Sequence, residues 1–134
     1  MKKNSHIILF IFVVNFSFSQ NVTLHKNEVE KLLCQSWNFD YGLSNGVKIQ
    51  GLETANQEYS FNANNSYKLI GADSFVSSGT WKFVPEKKRI ELYLDNGNSS
   101  GYIKFISENQ FILIPGENSV PETVNLEFFF YPKK

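Results

Sequence analysis

The stretch Ser77–Leu94 alternates apolar and polar residues on both sides of a short turn. Trp81 and Phe83 occupy alternate positions before the turn, and Ile90 begins a similar series after it. A period of two is typical of a β-strand with one buried face. Pro85 and the three charged residues that follow it are typical of a turn. The stretch therefore predicts a β-hairpin.

The same pattern of an apolar stripe, a polar turn and a returning stripe recurs along most of the chain. Short connections force neighbouring strands to be antiparallel, and closing the sheet removes its unpaired edges. The sequence therefore predicts an all-β fold, a small up-and-down antiparallel β-barrel of eight to nine strands. Apart from the hairpin, the predicted strands are Ser36–Leu43, Val47–Leu52, Gln57–Asn62, Ser66–Gly71, Ser100–Ser107, Gln110–Ile114 and Thr123–Tyr131.

Two local signals add detail to this barrel. Apolar residues share one helical face between Asn27 and Cys34, and Glu30 stands three residues after Asn27, as in a capping box. This pattern predicts one short N-terminal helix, which we place at a barrel end. Ile106 breaks the alternation of its strand and predicts a β-bulge there.

The first nineteen residues have the pattern of a signal peptide. Lys2 and Lys3 precede the apolar run Ile7–Phe16, and the small residues Ser17 and Ser19 occupy the two positions that a signal peptidase reads. The run is far shorter than the ~20 residues that a membrane-spanning helix needs. We therefore expect residues 1–19 to be cleaved, the protein to be periplasmic or secreted, and residues 20–134 to form one domain with no membrane span.

The composition of the exported chain excludes several classes of partner. Removal of Lys2 and Lys3 leaves eleven basic residues against thirteen acidic ones. This balance attracts neither nucleic acid nor an anionic membrane. The single cysteine, Cys34, cannot form an internal disulfide, so we expect packing alone to hold the fold.

The supply of reactive side chains argues against an enzyme. Loss of His6 with the leader leaves His25 as the only imidazole, and the only cysteine lies beyond the predicted helix. One histidine and one cysteine favour neither a catalytic nucleophile paired with a histidine nor a zinc site. The carboxylates fall on turns or on the polar strand face, which does not indicate a paired acid–base site. We therefore predict no enzyme activity, no metal and no cofactor.

Taken together, these patterns resemble the bacterial lipocalin-like domain proteins, which have calycin-type β-barrels. Gln35 stands where lipocalins proper have a glycine before the tryptophan, so the resemblance is to the wider lipocalin-like group. The residues that carry it are the helix running into Trp37, the Tyr59–Tyr67 hairpin, Gly79–Trp81 with the returning Arg89–Leu92, and Tyr102–Leu113.

An aromatic stripe faces the predicted interior and is the candidate binding site. An eight-stranded barrel is wide enough either to be filled by side chains or to hold one small ligand. Tyrosines in the stripe favour a ligand, because buried phenols need partners. With the resemblance, the stripe predicts an exported protein that binds a small hydrophobic or amphipathic molecule. The predicted ligand-binding residues are Trp37, Phe39, Tyr41, Tyr59, Phe61, Tyr67, Trp81, Phe83, Phe105 and Phe128.

A second hypothesis places the function on the outside of the barrel. Tyr93, Phe129 and Tyr131 lie on the face opposite the stripe, and they are candidates for an aromatic patch that contacts another exported protein. Under this hypothesis side chains fill the interior, and the protein is a protein-binding or inhibitory module.

Overall fold

The structure is a computed structural model that describes residues 22, 24–52, 56–71, 73–116 and 124–134. The predicted leader, residues 1–19, and Thr123 of the last predicted strand lie outside the described residues. Within the described ranges the elements are helix α1 (Lys26–Leu33) and strands β1 (Ser36–Ser44), β2 (Val47–Lys48), β3 (Glu58–Phe61), β4 (Ser66–Ile70), β5 (Val76–Val84), β6 (Arg89–Leu94), β7 (Ser99–Ile106), β8 (Phe111–Pro115) and β9 (Leu126–Pro132).

Eight of these strands close into an antiparallel barrel. Strands β1 and β3 to β9 lie side by side in chain order, and β9 returns to pair with β1. The closing register runs from Trp37 opposite Pro132 to Ser44 opposite Leu126. Strand β2 is an extra strand that pairs only with the end of β1 in the described sheet. The predicted all-β fold, an up-and-down barrel with one short helix, is confirmed.

The hairpin predicted from the alternating stretch is formed by β5 and β6. Trp81 lies opposite Leu92, and Phe83 lies opposite Ile90. A short 3₁₀ turn, Pro85–Lys87, joins the two strands. Trp81, Leu92 and Ile90 are buried and Phe83 is half-buried, so this hairpin contributes a continuous row of side chains to the core.

Helix α1 begins one residue earlier than predicted. The backbone N–H of its N-cap, His25, donates to the Glu28 carboxylate at 3.1 Å, and the predicted capping residue Asn27 lies inside the helix. Val29 and Leu33 are fully buried in the barrel core. In the described part of the chain, no helix combines the length and the apolar character that crossing a membrane requires.

A β-bulge in β1 changes which side chains face the interior. Phe39 lies opposite Phe130, but Tyr41 lies opposite Phe129, so Asp40 is an extra residue without a partner. Tyr41 therefore points to the outer face, where its ring stacks on that of Phe129 with the centroids 4.5 Å apart. The predicted inward position of Tyr41 is wrong, because the extra residue shifts the alternation by one.

A second β-bulge has the same effect in β7. Ile103 lies opposite Leu113, but Phe105 lies opposite Ile112, so Lys104 is the extra residue. The bulge predicted in this strand is therefore present. It turns Phe105 to the outer face, and the predicted inward position of Phe105 is wrong for the same reason as that of Tyr41.

Candidate functional site

Most of the predicted ligand-binding residues meet in the barrel interior, where their rings contact one another. The ring centroid of Phe111 lies 4.7 Å from that of Phe130 and 5.0 Å from that of Trp37. Rings at such distances are in direct contact, so side chains fill this part of the barrel. The members of the predicted site that belong to or pack against the core are Trp37, Phe39, Tyr59, Phe61, Tyr67, Trp81, Phe83 and Phe128.

The protein itself supplies partners for polar atoms among these rings. Nε1 of Trp81 donates to the carbonyl oxygen of Asn62 at 2.9 Å. The hydroxyl groups of Tyr67 and Ser100 share a hydrogen bond of 2.9 Å. Burial raises the pKa of Tyr59 well above its usual range, so this phenol stays neutral. The partner that we expected a ligand to provide for Tyr67 is therefore a side chain of β7.

An apolar recess lies at the barrel end where β1 finishes. It has a volume of about 90 Å³ and is lined by Phe39, Leu52, Gln57 and Phe128. The rings of Phe39 and Phe128 meet edge to face with the centroids 6.0 Å apart. A Cβ atom at Gly42 would lie 2.8 Å from the Phe128 ring, so a larger residue at this position would clash with the ring. The recess has room for one small apolar group.

Exposed apolar side chains lie at the same end of the barrel. Val47 in the short strand β2 is 70% exposed, and Phe75 and Val76, at the start of β5, are 66% and 54% exposed. These three side chains, in β2 and at the start of β5, therefore present apolar groups to solvent at this end of the barrel.

A second cavity is a polar groove of about 380 Å³ on the outer face of β6 and β7. Arg89, Glu91 and Tyr93 point outward, because they alternate with buried residues such as Ile90. Tyr102 of β7 lies opposite Glu91. We call this cavity the outer groove, and the residues that line it are Arg89, Glu91, Tyr93, Asn98, Ser99, Gly101, Tyr102, Pro115 and Gly116.

Glu91 is the centre of a hydrogen-bond network in the outer groove. Its Oε2 accepts from Nε and Nη2 of Arg89 at 3.1 and 2.8 Å, and its Oε1 accepts from the Tyr93 hydroxyl. Nζ of Lys87 lies 3.6 Å from the same Oε2. Hydrogen bonds from Tyr93 and then Arg89 lower the pKa of Glu91 below its ordinary value. The ionised carboxylate therefore holds both side chains in fixed positions.

Tyr102 orients Arg89 from a second direction. The guanidinium carbon of Arg89 lies 4.2 Å from the centroid of the Tyr102 ring, which is a cation–π contact. A guanidinium that is bonded along one edge and stacked on one face loses little further freedom when a ligand binds. The groove is therefore preorganised.

A third β-bulge shapes the floor of the outer groove. The register between β6 and β7 shifts at Ser100, whose hydroxyl turns inward to Tyr67 while Ser99 lines the groove. The following Gly101 has φ of +128°, and a Cβ there would lie 2.3 Å from the carbonyl oxygen of Ile114. Glycine is therefore needed for β7 to bend at this point.

The described residues offer little for catalysis or metal binding. They contain no group of three or more His, Cys, Asp and Glu side chains that could hold a metal ion. His25 is exposed at the start of α1, and burial raises the pKa of the half-buried Cys34 thiol. The absence of enzyme activity stays a prediction.

The structure separates the three residues of the predicted outer aromatic patch. Tyr93 lies on β6 in the outer groove, whereas Phe129 and Tyr131 lie on β9. Phe129 is only 9% exposed, and Tyr41 stacks against it. Tyr131 is 44% exposed. These side chains therefore do not form one open surface.

Sequence reasoning did not identify the outer groove. In the sequence, Glu91 is one of several carboxylates on turns or on the polar strand face, and Arg89 begins a returning strand. The available signal is the placement of Arg89, Glu91 and Tyr93 at every second position, which puts all three on one face of a strand. Tyr102 could be added only from the register of β7.

Comparisons with protein-family models and with curated proteins find no match to this chain. The closed eight-strand antiparallel barrel is consistent with a calycin-like barrel. The function must therefore be inferred from the cavities that the described residues form.

Proposed function

We propose that the protein is a binding protein whose ligand occupies the outer groove of β6 and β7. The observation that supports this proposal is the network around Glu91, which orients Arg89 and Tyr93 within a volume of about 380 Å³. Small-molecule sites have volumes of roughly 300–1,000 Å³ and contain a few oriented polar groups. The groove meets both conditions, whereas the recess beside Phe128 is smaller, at about 90 Å³.

The packing of the interior supports the same proposal. Trp37, Phe111 and Phe130 are almost completely buried and contact one another. A ligand in their place would have to displace a buried ring, and each such side chain gains roughly 1.5–3 kcal/mol from burial. Binding on the outside needs no such rearrangement. Of the two hypotheses raised by the sequence, the packing favours an outer-surface module with a filled interior.

A second candidate function is the binding of a small hydrophobic or amphipathic molecule at the barrel end where β1 finishes. Such a molecule would insert one apolar group into the recess between Phe39, Leu52 and Phe128. The exposed side chains of Phe75 and Val76 at this end favour it. In this case only Phe39 and Phe128 of the predicted ligand-binding residues would line the site.

We also propose that the chain belongs to the lipocalin-like group and that it is exported. The closed barrel with a short helix before its first strand supports the membership. The basic start, the apolar run Ile7–Phe16 and the small residues Ser17 and Ser19 support the export.

Fragment screening by NMR distinguishes the outer groove from the recess. Small polar and apolar fragments are added to ¹⁵N-labelled protein, and the amide shifts are mapped onto the structure. We expect the shifts to concentrate at Glu91, Tyr93 and Gly101. Tyr102→Ala should remove them, and Tyr131→Ala, which changes an exposed tyrosine of β9, should leave them in place. Shifts confined to the residues of the recess would reject the proposal in favour of the second candidate.

A further inference from the structure

We infer that the outer groove binds an uncharged, polyhydroxylated ligand, of which a neutral saccharide is the simplest example. The inference rests on the proposed function, since it names the ligand class of the same groove. It depends on the balance of charge in the groove, on the free hydrogen-bonding groups and on the two tyrosine rings.

The charged side chains that line the outer groove pair with each other, and Lys87, which does not line it, lies 3.6 Å from the same carboxylate. Arg89 and Glu91 are the charged side chains among the described lining residues, and they form an ion pair of 2.8 Å. An anionic ligand at Arg89 would have to share the guanidinium with Glu91, whose negative charge lies 2.8 Å away and repels it. A cationic ligand would have to compete with both Arg89 and Tyr93 for the carboxylate. Because each kind of charge meets repulsion or competition at this pair, the groove favours an uncharged ligand.

The groove offers hydrogen-bond donors and acceptors side by side. The Asn98 amide carries two donors and one acceptor, and the Tyr102 hydroxyl can donate or accept. Across the described ranges, neither of these two groups has a hydrogen-bond partner in the protein. The Tyr93 hydroxyl donates to Glu91 and keeps its lone pairs for a ligand donor. Ligand hydroxyls, which both donate and accept, match this mixed set.

Tyr93 and Tyr102 supply the apolar part of the site. A sugar ring has one face of C–H groups that packs on an aromatic ring while its hydroxyls point to the edges. The Tyr102 ring is held in place by Arg89 at 4.2 Å, and Tyr93 is held by Glu91. Two fixed aromatic walls around polar groups therefore suit a ring that is apolar on its face and polar at its rim.

A peptide finds no backbone partner in the same groove. Strand β6 pairs with β5 and β7, and β7 pairs with β6 and β8. A peptide that binds as an added strand needs an unpaired sheet edge, and the floor of the groove is the middle of a closed sheet. A peptide could therefore make only side-chain contacts, and the side chains of the groove favour the saccharide.

Calorimetry and NMR titration with defined sugars test the inference. Maltose and cellobiose serve as neutral probes, and glucuronic acid and glucosamine serve as charged ones. We expect a neutral disaccharide to bind with a Kd that is roughly millimolar or lower, with amide shifts at Ser99 and Gly101. Tyr102→Ala should weaken this binding by about tenfold or more, Tyr102→Phe should have a smaller effect because it retains the ring, and Tyr131→Ala should have none.

Three outcomes would overturn the inference. Tighter binding of glucuronic acid than of either neutral sugar would identify an anion site at Arg89. Shifts at the same amides with a blocked neutral dipeptide, but with no sugar, would identify a peptide site. Both results leave the proposed function standing, since the groove is still occupied. Fragment shifts that avoid the groove altogether would reject the proposed function as well.

Discussion

Gly79 shows how closely single atoms are fitted inside the barrel. A Cβ atom at this position would lie 2.0 Å from the carbonyl oxygen of Tyr93 and 2.8 Å from two carbons of the Tyr67 ring. The Tyr67 ring is fixed by its hydrogen bond to Ser100, so it cannot move aside without losing that bond. The packing between β5 and its neighbours therefore requires glycine at position 79.

Gly79→Ala should destabilise the protein by about 1–3 kcal/mol or more, because the added methyl group overpacks the core. Urea unfolding followed by tryptophan fluorescence measures the change. Gly71→Ala is the matched control, since the nearest atoms to its added Cβ lie at an ordinary 3.7 Å, and it should stay within about 0.5 kcal/mol of the parent protein. Equal losses in the two variants would contradict the packing argument.

The hydrogen bonds to Glu91 also predict a dependence of stability on pH. They lower its pKa in the folded state, while an unfolded glutamate titrates near about 4.3. A lowered pKa contributes stability that is present above the unfolded value and is lost as the pH falls through the folded value. Glu91→Gln should therefore reduce the free energy of unfolding at neutral pH, and the difference from the parent protein should shrink below about pH 4.

Urea unfolding at a series of pH values measures this difference. Glu86→Gln is the control, because it makes the same change at an exposed turn position. If the difference in unfolding free energy between Glu91→Gln and the parent protein stays constant down to acidic pH, the carboxylate charge is not the cause of that difference.

At the level of strands, the sequence predicts the barrel but not every register. Trp37, Phe39 and Tyr41 alternate without a break, so nothing within β1 indicates that Asp40 is an extra residue. Its partner strand contains three consecutive phenylalanines, 128–130, which fit either face and therefore do not select a register. In β7 the apolar Ile106 does break the pattern, and it predicts a bulge in the correct strand, two residues after the extra residue Lys104.

The bulge at Lys104 makes Phe105 and Phe111 a matched test of the observed register. Phe111→Ala should destabilise the protein by about 3–5 kcal/mol, because it removes a fully buried ring. Phe105→Ala should lower the free energy of unfolding by clearly less, because that ring is half-buried on the outer face. Urea unfolding of both variants measures the difference. A larger loss for Phe105→Ala would favour the register without the bulge.

The candidate site was harder to predict than the strands because it joins separate elements. Alternation places Arg89, Glu91 and Tyr93 on one face of β6, and this much follows from the sequence. Tyr102 reaches them only through the register of β7, and Gly116 follows the end of β8. A groove formed by residues of three strands is only partly visible in the alternation of any one of them.

For the whole molecule, the proposed export has a direct test. Expression in a Gram-negative host should give a periplasmic or secreted protein whose mass corresponds to a chain beginning at Gln20. Phe12→Asp should stop this processing, because it places a charge in the apolar run, and Asn4→Asp outside that run should have little effect. Mass spectrometry of cell fractions measures both variants, and an uncleaved cytoplasmic parent protein would contradict the proposal.

The pairing of β1 with β9 has a consequence for the order in which the chain can acquire its shape. Trp37 of β1 lies opposite Pro132 of β9, the last strand of the barrel in chain order. The barrel therefore cannot close until β9 has left the ribosome. Until that moment the chain stays unclosed and can still be threaded through a secretion channel, which requires an unfolded chain.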